Sequence, residues 1–100
     1  MYKVNDPSAF RSNVRQKLSE FDLDSKTAGN LEIGIFNFAI KESTKNKIIK
    51  KWENPLFVQI YRDRLYSIYT NIKDSDLVKK IKSNELAPQN VAFMTHQEMN

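Results

Sequence analysis

Phe57, Tyr61, Leu65, Ile68, Tyr69 and Ile72 recur at intervals of three and four residues, which gathers large apolar side chains on one face of a helix. A β-strand would scatter the same residues over both of its faces, so a sheet cannot organise this stretch. Asn54-Pro55 stands at its head, a cap residue followed by proline at the first helical position, where a missing N–H is no loss. Two further stripes obey the same period. Phe10, Val14, Leu18 and Phe21 follow Asp6-Pro7, a second cap-plus-proline start. Ala28, Leu31, Ile35, Phe36, Ala39 and Ile40 follow Asp24 and Ser25, either of which can cap a helix. Ile33 and Phe38 flank that stripe, so the second helix is apolar on two sides and is expected in the middle of a bundle. Gly34 within it costs about 1 kcal/mol against alanine, and a close approach by a neighbouring helix is the expected reason for it.

These stripes predict an all-α fold, a single helical domain over 1–100, with a three-helix bundle over 7–21, 25–42 and 55–72 and additional short helices after it. The expected core includes Phe10, Leu18, Leu31, Ile35, Phe36, Ile40, Tyr61, Leu65, Ile68 and Leu77. Two glycines and three prolines are too few for an architecture of strands and tight turns. Residues 41–51 hold Lys41, Lys45, Lys47, Lys50 and Lys51, relieved by Glu42; Ile48, Ile49 and the adjoining Trp52 predict a short helix or turn pinned to the core. Leu77, Val78 and Ile81 mark one short helix and Pro88 opens another, carrying Val91, Ala92 and Met94. Thr95-His96-Gln97-Glu98 then has capping-box spacing. A helix start so close to Asn100 reads as part of a longer protein.

Little here can do chemistry. The chain has no cysteine, hence no thiol nucleophile and no thiolate metal site, and His96 alone supplies neither a metal site nor a catalytic triad. The acids are scattered among lysines, and neither glycine belongs to a phosphate-cradling loop. Catalysis, metal and cofactor are therefore not expected within these residues. No apolar run approaches the roughly eighteen residues of a membrane span, so no membrane partner is expected. A net charge of +4 permits nucleic acid or an acidic protein as partner. Tyr61 and Tyr69 keep register with Leu65 and Ile72 and read as core rather than as stacking platforms. Trp52 and Tyr66 fall outside the stripe and are the aromatics expected to be partly exposed. Arg11 and Arg15 are expected away from the apolar face of the first helix.

The second half of the chain carries a more specific pattern. Tyr61-Arg62-x-Arg64-Leu65-x-Ser67 leads into Asn71-Ile72-Lys73-Asp74; Leu77 with Lys79, Leu86-Ala87-Pro88 and Met94-Thr95-x-x-Glu98-Met99 follow in order. Upstream stand Val14-Arg15-x-Lys17-Leu18 and Leu31-Glu32-Ile33-Gly34-Ile35-Phe36. This ordered set resembles the central domain of transcription elongation factor S-II (TFIIS). Tyr66-Ser67-Ile68 departs from the family's Arg-Ser-Arg, and Asn84 replaces a glycine before the proline turn. The resemblance implies a helical bundle that docks on the largest subunit of a multisubunit DNA-directed RNA polymerase, near the nucleic acid of the elongation complex. In the family a separate zinc ribbon completes the factor, which rescues backtracked polymerase by stimulating transcript cleavage. These residues would be the docking half, in the nucleus or, for a viral homologue, at a cytoplasmic site of transcription. Abundant Asn, Lys and Ile suit the second case. The expected polymerase-binding residues are Arg62, Arg64 and Lys73, which match the motif, and Lys45, Lys47, Lys50 and Lys51, which charge alone supports. A nucleic-acid-binding helical domain and a helical interaction scaffold remain the alternatives.

Overall fold

The computed structural model describes residues 4, 6–21, 23–74, 77–83 and 87–94, and only the backbone of Lys73, Asp74 and Leu77. Five helices follow one another: α1 (Pro7–Ser19), α2 (Ser25–Lys45), α3 (Pro55–Asp74), α4 (Leu77–Lys82) and α5 (Pro88–Val91). No strand occurs among the described residues. Helix α2 is the axis of the bundle: α1, α3 and α5 all pack on it, while α4 rests on α3. The expectation of a central second helix holds, because Leu31, Ile35 and Ala39 are fully buried and Phe36 and Phe38 extend its apolar surface sideways.

The helix starts are those that the sequence marks. Asp6 Oδ1 accepts from the Ala9 amide at 3.1 Å and Asp24 Oδ1 from the Thr27 amide at 2.7 Å. Asn54 Oδ1 accepts from the Leu56 amide at 3.1 Å. The ends differ from expectation. Helix α1 stops at Ser19, leaving Phe21 in the turn with its ring edge-on to Tyr69 at 4.7 Å. Helix α2 runs to Lys45 and so takes Lys41 and Lys45 out of the expected separate basic element. Lysine is a good helix former, and its charge is favourable against the carbonyl end of the dipole, so a lysine cluster is no stop signal. Helix α3 extends to Asp74. The signal at 95–98 lies outside the described residues.

What does end α2 is a left-handed residue. Lys47 has φ 59°, the Ile48 amide donates to the Ser43 carbonyl at 2.8 Å, and the Lys47 amide donates to Thr44 at 3.3 Å. This double bond pattern is a Schellman cap, which favours glycine at the left-handed position because a Cβ there crowds the following carbonyl. Lys47→Gly should therefore stabilise the domain by about 0.5–1 kcal/mol, the relief of that crowding less the greater freedom of unfolded glycine. A urea midpoint unchanged or lowered would contradict it.

Of the expected core, Leu18, Leu31, Ile35, Tyr61 and Ile68 are fully buried, and Phe10, Phe36, Ile40 and Leu65 are half-buried against them. The Leu77 side chain lies outside the described residues. Gly34 has the reason that the sequence suggested. A Cβ built on it would stand 2.5 Å from the Gln89 carbonyl oxygen and 2.9 Å from Gln89 Cα, so α5 lies directly on this gap. Backbone cannot rotate out of the way as a side chain can. Overpacking of about 1–3 kcal/mol outweighs the roughly 1 kcal/mol that alanine gains in a helix. Gly34→Ala should accordingly lower the melting temperature by several degrees, about 4–8 °C per kcal/mol lost. An equal or higher melting temperature would show that α5 does not need this contact.

Candidate functional site

The most unusual group in the interior is a carboxylate. Glu32 is fully buried on α2. Arg11 reaches it from α1 in a two-pronged pair, Nε to Oε2 at 2.8 Å and Nη2 to Oε1 at 2.9 Å. Arg15 Nη1 approaches Oε1 at 3.5 Å, and the Tyr61 hydroxyl on α3 donates to Oε2 at 2.9 Å. Arg11 and Arg15 thus face α2, contrary to the expectation that they stand away from the apolar side. A desolvated carboxylate needs this many donors, and the arginines' long apolar stems can cross the seam to supply them. One side chain thereby ties α1 and α3 to α2.

Burial first, and then the neighbouring Glu32 charge, push the Tyr61 hydroxyl well above its ordinary 10.0. A folded-state value raised in this way stabilises the fold fully below pH about 10 and loses that contribution as pH rises further, because only the unfolded tyrosine ionises there. Tyr61→Phe should cost about 1.5–3 kcal/mol at neutral pH, the worth of a hydrogen bond to a charged group, yet have a flatter alkaline limb. Chemical denaturation from about pH 8 to about pH 11 measures both. Parallel curves above pH 10 would acquit the Tyr61 hydroxyl.

An aromatic hub adjoins this network. Trp52 is half-buried and meets Phe57 and Tyr61, each at 5.2 Å, Phe10 at 5.7 Å and Phe36 at 5.9 Å. The Arg11 guanidinium lies 4.1 Å over Phe36. Trp52 therefore anchors the connector 46–54 to the bundle. Tyr66 is 74% exposed, as its position off the stripe suggests. It stands with Arg62 on a groove of about 980 Å³ between α1 and α3, floored by Phe10, Val14 and Leu65.

The basic candidates divide. Lys45, Lys47, Lys50 and Lys51 are all exposed, at the end of α2 and along the connector. Arg62 is exposed on α3, and the Lys73 side chain lies outside the described residues. Arg64 differs from its expected place on a solvated surface. Its Nε donates to the Ala92 carbonyl and its Nη2 to the Met94 carbonyl, with the guanidinium 4.5 Å over Phe38. The carbonyls after α5 lack helical partners, and Arg64 is the donor that satisfies them. Sequence gave no sign of this, since it depends on where α5 returns. Among the described residues no group of three His, Cys, Asp or Glu side chains could hold a metal ion, and no helix is long and apolar enough to cross a membrane.

This bundle, with Glu32 and Tyr61 at its centre, can be set beside known families. The model of the family described as transcription factor S-II (TFIIS), central domain, matches residues 6–100. The chain belongs to that family. No curated protein and no solved structure shows a significant match to it. Membership in the S-II central-domain family gives the packing a second meaning. Arg15, Glu32 and Tyr61 come from separate pieces of the pattern that resembles the S-II domain, and they meet at one buried carboxylate. Arg64, from the same pattern, fastens α5. Much of the S-II signature in this chain is therefore architecture. Arg62, Lys17 and Lys79, also from the pattern, stay on the outside among the described residues.

Proposed function

We propose that this S-II central domain docks on a multisubunit RNA polymerase, on its largest subunit, as part of a factor that helps rescue backtracked enzyme. The observation that carries the reading is the family match over 6–100, on a bundle that keeps several basic side chains exposed. Docking needs shape and surface charge, and a basic patch speeds encounter and fixes orientation more than it adds affinity. Arg62, Lys45, Lys47, Lys50 and Lys51 have that outward placement. Arg64 belongs to the fold, and Lys73 keeps only the support of its motif position.

The domain acts by binding and supplies no catalytic group or cofactor of its own. Cleavage chemistry belongs to the polymerase and, in the family, to a zinc ribbon for which these residues hold no cysteine. Adding this chain alone to a stalled elongation complex should leave the rate of transcript cleavage unchanged while the chain remains bound. Stimulated cleavage would overturn the reading of a pure docking unit, and failure to associate with the complex would overturn docking itself.

A further inference from the structure

We infer that the connector 46–54, together with the first turn of α3, is a preformed docking hook whose occupant is an acidic protein surface with an apolar recess. The inference rests on the polymerase-docking reading and names the part of the domain that makes the contact.

Ile49 is 66% and Leu56 59% exposed, more than any other large aliphatic side chain described. Their backbones share one anchor. The Asn54 side chain donates from Nδ2 to the Ile49 carbonyl at 2.8 Å, and its Oδ1 accepts from the Leu56 amide at 3.1 Å. One amide group thus fixes both backbones. The rest of the connector is equally constrained. The left-handed Lys47 sets its entry, the Lys51 amide donates to Ile49 at 3.0 Å, the Asn54 amide donates to Lys51 at 3.0 Å, and Trp52 roots it in the aromatic hub. Lys50 Nζ donates to Thr44 Oγ1 at 3.1 Å.

Such a loop loses little conformational freedom on binding, which is what makes a small contact effective. Two aliphatics this exposed bury little apolar area in the fold, and within a lysine-rich segment they can serve as interface anchors inside a polar rim. The same stretch exposes Lys45, Lys47, Lys50 and Lys51, with Glu53 the only acid from 45 to 54. Charge complementarity therefore calls for an acidic partner. Nucleic acid is the weaker match, because bases stack on aromatic faces and the one aromatic of the connector, Trp52, is turned into the hub.

The test is a binding titration of the whole chain against purified multisubunit RNA polymerase. It compares the unaltered chain with Ile49→Ser/Leu56→Ser, Lys50→Glu/Lys51→Glu and Arg62→Glu. The altered side chains are exposed, so melting temperatures should stay within about 3 °C of one another. The apolar pair should weaken binding tenfold or more at every salt concentration. The lysine reversal should weaken it most at low salt. Arg62→Glu should have the smallest effect. If the apolar pair binds like the unaltered chain while Arg62→Glu does not, the contact lies on α3; the hook fails and polymerase docking stands. If the unaltered chain does not bind polymerase, both fall. A single-stranded RNA or an anionic vesicle bound more tightly than polymerase, with dependence on Lys50 and Lys51, would likewise overturn a protein occupant.

Discussion

Glu32→Ala should remove about 3–5 kcal/mol of stability, enough to unfold much of a domain whose total is on the order of 5–15 kcal/mol. The loss does not come from the ion pair as such. A carboxylate and a guanidinium taken out of water together roughly break even against apolar residues of the same shape. Removing the carboxylate alone leaves Arg11 only 24% exposed with no anion, Arg15 drawn toward nothing, and the buried Tyr61 hydroxyl without its acceptor. Glu32→Gln should fall between the two, since an amide oxygen still accepts but no longer balances charge. A matched apolar set, Arg11→Met with Glu32→Leu and Tyr61→Phe, should recover most of the loss. Urea denaturation of the series measures this directly. If Glu32→Ala is as stable as the parent, the network is not what joins α1 and α3 to α2.

Arg64→Glu is the second large effect, about 3 kcal/mol or more, because it removes charge-assisted hydrogen bonds and sets an acceptor against two acceptors. The Ala92 and Met94 carbonyls would lose these bonds, and the guanidinium would leave the face of Phe38, which also meets Phe93 at 5.8 Å. Arg64→Lys keeps the charge but cannot serve both carbonyls with one planar group, so it should lie in between. Denaturation midpoints, with amide exchange across 88–92, distinguish a local release of α5 from global unfolding. An unchanged midpoint in Arg64→Glu would mean that the arginine does not fasten α5. The variant also bears on function. A loss of binding in Arg64→Glu reports first on the fold, so Arg62→Glu is the cleaner probe of α3.

The stripes made the three main helices and the middle position of α2 legible, because period and cap chemistry are local. The large core residues were legible for the same reason. Val58 was not: it is fully buried but stands outside the stripe that the spacing picks out. Glu32 was partly legible. It stands four residues after Ala28 and three before Ile35, on the inward face of α2, and a charge at such a position asks for partners. Which partners could not be read, because the Arg11 and Arg15 of another helix supply them. Arg64 shows the same limit from the other side. Its motif position and its charge both pointed outward, and only the return of α5 reveals the carbonyls that it caps. Charge marked the lysines of 45–51 as exposed, but the Asn54 bonds that fix the backbone at Ile49 and Leu56 depend on the path of the connector, which no period reveals.

Equilibrium binding of the folded chain to purified multisubunit RNA polymerase tests docking most directly. Saturable binding of one chain per enzyme is predicted, weakening as salt rises and displaced by the central domain of an established S-II factor. No binding at low salt by a correctly folded chain, or binding that an S-II central domain does not displace, would contradict it.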